Sequence, residues 1–397
     1  MAEHEPTTPP DLTPPDLTQI VGQDRAVAWL QRGLLRGQLH HGLLFAGPEG
    51  VGRQTTARAL AATLLCHQPA GQGGAGPTDG SPSAGEGLRP CGACQACRLV
   101  AAGSHPDLHP VYKELARYHD DPAVRNRVMQ DLGIGVIRQF LLAPAASAAT
   151  MQRGKVFIVR DAELMSVAAQ NALLKTLEEP PPGVTIVLLT QRAEQLLPTT
   201  RSRCALLRFL PLGREFVAER LTAAGVDSQQ ARFWSAFTDG SLGRAQRLAE
   251  GGLYELKCEI VDRIGRLDPA GDTELGEYLA AESEKLAKAA VKAAKAADGS
   301  ELSMRLATRQ ALAVMLQILS SLMRDAMDAA TGCPREPVHA DQVDAVAAVA
   351  GRLGAERLAE AIEQLAEYER LLWRNANAKV IWDNVVITCA SAAPLRV

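Results

Sequence analysis

The sequence predicts an α/β protein with a parallel sheet, followed by an all-α carboxyl-terminal region. Two observations predict the sheet: a strand, a helix and a strand follow one another over residues 155–189, and a glycine-rich loop follows the apolar run Gly42–Ala46. A strand, a crossover helix and a second strand form the unit from which parallel sheets are built. Residues 255–397 are rich in alanine and leucine at helical spacing, which predicts the all-α region.

Composition excludes several classes of function. The 397 residues are enough for two or three domains, and 47% hydrophobic residues are enough for a sizeable core. The formal net charge of -3 gives no global electrostatic case for nucleic-acid binding. We expect no transmembrane helix, because no run of about 18 apolar residues occurs. Residues 1–17 are acidic and proline-rich, unlike a signal peptide, and predict a disordered tail on a cytoplasmic protein.

The stretch from residue 155 to residue 204 organises the first part of the chain. Val156–Val159 is an apolar, β-branched run that predicts a buried strand. A helix is expected from the N-cap Ser166 to Glu179, where Pro180–Pro182 end it because proline lacks the backbone donor. Val184–Leu189 predicts the second strand. Ligands of such sheets bind at the carboxyl ends of the strands.

The glycine-rich loop has the context of a P-loop, with a strand before it and a helix through residue 65 after it. Its glycines Gly47, Gly50 and Gly52 could still cradle a phosphate with backbone amides. Arg53 stands where the pattern requires lysine, and a planar guanidinium does not replace a compact ammonium. Gln54 stands where serine or threonine would ligate magnesium. We therefore expect a degenerate site in which ATP binding is doubtful and hydrolysis is absent.

A second departure from the P-loop ATPase pattern concerns another ligand of the same magnesium ion. P-loop ATPases place an aspartate after the strand that here is Val156–Val159, and that residue helps hold magnesium. Arg160 occupies this position, and an arginine repels the ion. Together with Gln54 this indicates an ATPase fold without ATPase chemistry. An alternative shifts the motif by one residue and makes Asp161 the magnesium ligand.

Four of the eight cysteines cluster, namely Cys66, Cys91, Cys94 and Cys97. This spacing can put four thiolates around one tetrahedral ion, and in a cytosolic protein it predicts a structural zinc site. A redox pair or an iron–sulfur cluster are the alternatives. Residues 69–90 are rich in glycine, proline and serine and predict a mobile insertion. His105 and His109 are predicted to lie in the turn before a strand.

Two segments resemble the ATPase-fold subunits of bacterial sliding-clamp loaders, which belong to the AAA+ class. They are QNALLKTLEEPPPG at residues 170–183 and LLPTTRSRC at residues 196–204. The resemblance implies that Ser202-Arg203-Cys204 holds an arginine finger, with Arg203 pointing into the nucleotide site of a neighbouring subunit. The alternatives are Arg201 as the finger, or a surface salt bridge of Arg203. The family also carries a small four-cysteine zinc module after the P-loop helix.

The resemblance extends to the domain order. It implies a P-loop domain over 18–210 that includes the zinc module 66–97, a small helical lid over 211–254, and a helical collar over 255–397. The segment Gly240–Ala245 resembles the second sensor of the AAA+ class, so Arg244 would contact a bound nucleotide or be a relic. Residues 375–378, Asn-Ala-Asn-Ala, resemble the closing segment of the family's collars.

The resemblance implies a non-hydrolytic, stator-like subunit of the DNA polymerase III clamp loader, a complex that loads the sliding clamp onto primed DNA in replication. Its partners would be loader subunits of the delta and gamma/tau types and, through the complex, the clamp and primer-template DNA, with no membrane. The alternative is an active, gamma/tau-like ATPase. A zinc-dependent nucleic-acid binder is disfavoured by the net charge and because no aromatic residues interleave the basic face Lys285, Lys288, Lys292 and Lys295.

Overall fold

The structure, a computed structural model, describes residues 14–71, 87–125, 131–268, 273–298, 302–373 and 377–390. The chain divides into two compact units, Met1–Gly213 and Arg214–Val397. The second unit contains both the segment expected to form the lid and the segment expected to form the collar. The predictions for the tail, for the centre of the insertion and for Asn375 fall largely or wholly outside the described residues.

The first unit is built on a five-stranded sheet with the strand order β2-β3-β4-β1-β5. All four neighbouring pairs are parallel, which confirms the predicted α/β class. The strands are β1 (Gly42–Ala46), β2 (Leu108–Val111), β3 (Lys155–Val159), β4 (Val184–Thr190) and β5 (Ala205–Arg208). The expectation that His109 lies in a turn is wrong, because it lies in β2 and stacks on Phe157 of β3 with ring centroids 4.7 Å apart.

The helix predicted to begin after the N-cap Ser166 is present in the first unit. Ser166 caps the helix that follows β3, since its side chain accepts a hydrogen bond from the backbone N–H of Ala169. A further helical stretch begins at Ile134 and includes a π-helical turn, Arg138–Leu142. The helices are α1 (Asp24–Leu35), α2 (Arg53–Leu65), α3 (Gln95–Ala101), α4 (Pro122–Arg125), α5 (Ile134–Ile137), α6 (Ala143–Ala146), α7 (Val167–Glu178) and α8 (Pro198–Arg201).

Both faces of this sheet are buried, as expected for parallel strands covered by helices. Successive residues of a strand point to opposite faces. Phe45 of β1 and Ile158 of β3 pack in one cluster with residues of α1 and α2, whereas Leu44 and Phe157 pack in a second cluster with residues of α5 and α7. This packing on both faces holds the central strands in place. Because the strands are parallel, the P-loop and the segments after β3 and β4 all lie at the carboxyl edge of the sheet.

The second unit is entirely helical in its described part, as predicted. Its long helices enclose one core that contains Met315, Leu319 and Trp382. The helix before the last contains a break at Gly354, where φ is 71° and ψ is 165°. The helices are α9 (Arg214–Ala223), α10 (Ser228–Phe237), α11 (Leu242–Glu250), α12 (Leu253–Gly265), α13 (Thr273–Asp298), α14 (Met304–Thr331), α15 (Val343–Trp373) and α16 (Ala378–Ala390).

Among the described helices, α14 alone is long and apolar enough to cross a membrane by length and composition. Half of its most apolar window is buried inside the protein. Its buried residues include Leu312, Met315 and Leu319, which belong to the helical core. Its apolar character is therefore accounted for by packing against neighbouring helices.

A buried polar network ties α12 and α14 to the segment before α15. The ammonium of Lys257 pairs with Asp341, which also accepts a hydrogen bond from the Tyr254 hydroxyl at 2.7 Å. His339 is fully buried, and its Nε2 lies 2.9 Å from the Ser321 hydroxyl. Burial, with the nearby Lys257 charge, lowers the pKa of His339 to about 3. His339 is therefore neutral in the folded unit at every pH above about 3.

This histidine predicts acid lability of the second unit. Its pKa is about 3 when folded and about 6.5 when unfolded, so the unfolded chain binds more protons between these values. The contribution of His339 to stability is therefore complete above about pH 6.5 and is lost as the pH falls toward 3. Urea unfolding of the full chain from pH 7 to pH 4 should show this loss, and His339→Gln should flatten it. An equally steep pH dependence in the variant would contradict the assignment and point to Asp341, where the effect of burial is outweighed by contacts with Lys257 and Tyr254 that lower the pKa. Asp325, which also faces this network, cannot account for the loss, because burial raises its pKa and its protonation favours the folded state as the pH falls.

Candidate functional site

The P-loop lies where the sequence predicts it, between β1 and α2. A side chain at Gly47 would meet the backbone oxygen of Phe209 at 2.3 Å, so only glycine fits there. Gly52 caps α2 with φ 100°, in the left-handed region that favours glycine. The backbone of a phosphate-binding loop is thus retained, while its side chains differ from those of an ATPase.

The side chain of Arg53 folds back onto this loop. It is only 9% exposed, and its Nε donates a hydrogen bond to the carbonyl oxygen of Pro48 at 3.2 Å. Burial lowers the pKa of the guanidinium, whereas the carboxylates of Glu163, Asp161 and Glu49 oppose this shift. The basic group therefore contacts the loop's own carbonyl and faces carboxylates.

The segment after β3 places acidic groups near Arg53 and turns Arg160 away. The guanidinium of Arg160 lies 5.2 Å from the ring centroid of Tyr112, which follows β2, whereas the P-loop follows β1 on the far side of β4. One Glu163 oxygen accepts a hydrogen bond from the backbone N–H of Gln191 at 3.2 Å, and the other is buried without a hydrogen-bond partner among the described residues. Glu163 was not predicted as a site residue, although it lies only two residues after Asp161.

The hydroxyl groups that begin α2 do not replace the missing magnesium ligand. Thr55 is exposed, one residue after the position that the ligand requires. The hydroxyl of Thr56 donates to the carbonyl oxygen of Gly52 at 2.9 Å, inside the first turn of the helix. A magnesium ion at this edge would therefore have to rely on the carboxylates that already face Arg53.

Arg203 is held by its own chain. Its Nε donates to a carboxylate oxygen of Glu178 at 2.5 Å, Nη2 pairs with the same oxygen, and Nη1 donates to the carbonyl oxygen of Thr199 at 2.9 Å. The side chains of Arg203 and Glu178 are 33% and 48% exposed. Arg201, the alternative finger, is exposed. Glu178 belongs to the segment that carries the family resemblance, but its pairing with Arg203 was not foreseen.

Arg244 makes its described contacts inside the second unit. Its guanidinium donates to the side-chain oxygen of Gln317 on α14 and lies 5.5 Å from the ring centroid of Phe237. Its backbone N–H donates to the hydroxyl of Ser241, which caps α11. The contact of Arg244 with a nucleotide stays a prediction.

The four clustered cysteines converge on one point. The sulfur atoms of Cys66, Cys91, Cys94 and Cys97 all lie within 4.8 Å of one another. The Sγ–Sγ distances are 3.9 Å for Cys66–Cys94 and for Cys91–Cys97, which is too long for disulfide bonds. A tetrahedral ion with metal–sulfur bonds of about 2.3 Å requires sulfur atoms about 3.8 Å apart. The residues therefore fit a single metal ion.

Backbone donors favour the thiolate form of this cluster. The N–H groups of Cys91, Cys94 and Cys97 donate to the sulfur atoms of Cys66, Cys91 and Cys94 at 3.3, 3.4 and 3.5 Å. Burial opposes ionisation of Cys94, but the backbone donors of Cys97 and His67 outweigh it and lower the pKa of Cys94 to about 6. Among Cys66, Cys94 and Cys97, the thiol of Cys94 is thereby the most readily ionised, whereas burial raises the pKa of Cys66 and of Cys97.

A parallel sheet with a P-loop at its carboxyl edge places the chain in the class of P-loop proteins by fold. A family model described as DNA polymerase III, delta subunit, matches residues 22–213, and one described as its C terminal matches residues 282–387. The DNA polymerase III subunit delta' of Pseudomonas aeruginosa is 33% identical over 244 residues, that is 60% of this chain and 64% of that protein. The chain belongs to the delta-prime family of DNA polymerase III subunits.

Other relatives agree with this assignment. The Escherichia coli delta' subunit is 31% identical over 237 residues, covering 59% of this chain and 62% of that protein. A gamma/tau subunit from Mycobacterium bovis is 33% identical over 193 residues, covering 48% of this chain and 28% of that protein. The matched segment thus spans a little under two thirds of the delta' relatives.

Solved structures give a weaker likeness. A DNA polymerase III gamma-subunit-related protein from Thermotoga maritima covers 91% of this chain and 98% of its own, at 17% identity and a TM-score of 0.39. The RuvB branch migration motor of the same organism covers 90% of this chain and 91% of its own, at 15% identity and a TM-score of 0.39. At these scores the likeness adds nothing to the assignment.

Proposed function

We propose that this chain is a non-hydrolytic subunit of a DNA polymerase III clamp loader. In that role it is a stator, a rigid partner against which ATP-hydrolysing subunits of the gamma/tau type open and close the sliding clamp. Its other partners are a delta-type subunit and, through the complex, the clamp and primer-template DNA. The observation that carries the proposal is the side chain of Arg53, which is buried against the P-loop where an ATPase presents lysine to phosphate.

Electrostatics support the loss of hydrolysis. In an ATPase of this fold, magnesium bridges the phosphates and is held by a hydroxyl after the P-loop and an aspartate after the third strand. Gln54 and Arg160 occupy these two positions here, and Arg160 is aimed at Tyr112. The carboxylates that remain face the buried guanidinium of Arg53. Binding of a magnesium ion would have to break this arrangement.

Arg203 is the group that the chain offers to a neighbour. A guanidinium holds phosphate oxygens through planar, charge-assisted hydrogen bonds. The pairing with Glu178 does not prevent this role, because an ion pair between partly exposed side chains is worth only about 0–1 kcal/mol. A phosphate of a nucleotide bound next door can therefore take over the side chain at small cost.

The metal of the four-cysteine cluster is zinc in this proposal. Four thiolates within 4.8 Å leave no room for the iron and sulfide atoms of an iron–sulfur cluster between them. They also leave no open coordination position, so the ion is structural and not catalytic. Cys66 follows α2 and Cys94 caps α3, and zinc would join these two helices.

A working ATPase of the gamma/tau type is the second candidate, favoured by the carboxylates of Asp161 and Glu163 at the edge of the P-loop. Nucleotide binding separates the two candidates. For the stator we expect any binding of fluorescent ATP to the isolated chain to be the same with and without magnesium. Fluorescence anisotropy measures this, with the gamma/tau-type subunit of the same loader as a positive control. Binding that strengthens tenfold or more on addition of magnesium would contradict the stator and favour the ATPase.

A further inference from the structure

The second unit contains a recessed cavity of about 600 Å³ that no part of the proposed function uses. Its walls come from α9, α10, α11, α14, α15 and the segment between α14 and α15. This volume lies in the range of small-molecule sites. The apolar part of the lining includes Phe237, Leu316 and Leu365.

The polar lining of this cavity is dominated by arginine. Four arginines from four segments line it, against two carboxylates, which are those of Asp239 and Glu369. The arginines are Arg214, Arg244, Arg324 and Arg335. The lining therefore carries an excess of positive charge, which would attract an anion.

The charges inside the cavity are only partly compensated. Glu369 accepts a hydrogen bond from Gln317 at 2.8 Å, and Gln317 in turn accepts one from Arg244. The Nε of Arg335 lies 3.7 Å from a carboxylate oxygen of Asp328, which is a loose pair. The described part of the chain contains no ion pair of Arg214 or of Arg324. The cavity therefore presents two guanidinium groups that are available to an anion.

We propose that this cavity is a binding site for a compact polyanion with a polyphosphate group, either free or part of a nucleotide. Guanidinium groups bind phosphate oxygens in pairs, and their placement on several sides suits a ligand with more than one phosphate. A DNA backbone is disfavoured, because Asp239 and Glu369 would repel an extended chain of phosphates and the site is recessed. The proposal is independent of the role of Arg203 and of the P-loop.

The test is calorimetric titration of the full chain with inorganic tripolyphosphate at low ionic strength. The variant Arg214→Gln/Arg324→Gln removes two phosphate contacts, and we expect it to raise the Kd at least about tenfold. The single variant Arg324→Gln changes an exposed helix residue, so it tests the site without threatening the fold. Arg357→Gln, which removes an exposed arginine of the same unit outside the cavity, is the matched control and should leave the Kd unchanged.

Separate titrations with ATP and AMP, both without magnesium, distinguish the source of the phosphate. The site is supported if the cavity variants weaken the binding of both tripolyphosphate and ATP and if AMP binds poorly. Tighter binding of ATP than of tripolyphosphate would assign the site to a nucleotide. Three results overturn the proposal: no saturable binding of tripolyphosphate, equal Kd values for the double variant and Arg357→Gln, or loss of binding in Arg53→Gln instead, which would place the ligand at the P-loop.

Discussion

Replacement of Arg203 by alanine should lower ATP turnover at the neighbouring site of a reconstituted loader by about 10³-fold or more. This is the lower end of what an arginine finger contributes to kcat when it is supplied in trans. The loss arises because the substitution removes the guanidinium that stabilises charge on the neighbour's transferring phosphate in this proposal. Phosphate release in single turnover, with DNA-bound clamp loader in excess over ATP, measures the effect.

The matched control for this variant is Arg201→Ala. Arg201 is an exposed arginine two residues away, at the end of the short helix α8, which precedes Arg203. We expect Arg201→Ala to keep ATP turnover within about twofold of the wild-type value, because surface substitutions usually have small effects. Equal losses in the two variants would show that the segment acts by general charge, and a loss confined to Arg201→Ala would move the finger to that residue.

Replacement of Cys97 by serine should release the metal ion and destabilise the first unit. Apparent binding free energies of structural zinc sites are about 10–16 kcal/mol, so loss of one of four thiolates is expected to cost about 3 kcal/mol, or ~10²-fold in zinc affinity. Atomic emission should find one zinc per wild-type chain and much less than one in the variant after dialysis against a chelator. Thermal unfolding should show a lower Tm of the first unit.

Cys333→Ser is the control for the metal site, because Cys333 is an exposed cysteine of the second unit. It should retain one zinc per chain and an unchanged Tm. A wild-type chain that contains no zinc after expression in zinc-supplemented medium, or that contains iron with visible absorbance, would contradict a structural zinc ion and favour the iron–sulfur alternative.

Local sequence signals account for the elements that were predicted well. β1, the P-loop and α2 were delimited by an apolar run and by glycines, and Ser166 marked the start of α7 through a single cap. These signals act over a few residues, so the sequence carries them directly. A strand was expected after His109, but β2 begins one residue before it; its start was misplaced because the strand has only four residues and contains Pro110.

Contacts between distant residues account for what was missed. The pairing of Arg203 with Glu178 joins residues 25 positions apart, and the approach of Glu163 to Arg53 depends on how β3 and β1 are placed in the sheet. The break at Gly354 was also not predicted, because Gly351 and Gly354 both stand in the same alanine-rich helix and only Gly354 adopts a positive φ. Spacing in the sequence determines neither sheet neighbours nor long-range ion pairs.

Steady-state ATP turnover by the isolated chain at saturating magnesium, compared with the reconstituted loader, decides between a stator and a motor. For a stator we expect no turnover above background for this chain alone, and turnover in the loader that depends on Arg203. Turnover by the isolated chain that scales with its concentration and disappears in Arg53→Gln would contradict this expectation. In that case Arg53, Gln54 and Arg160 would not be disabling, and the chain would be a motor and not a stator.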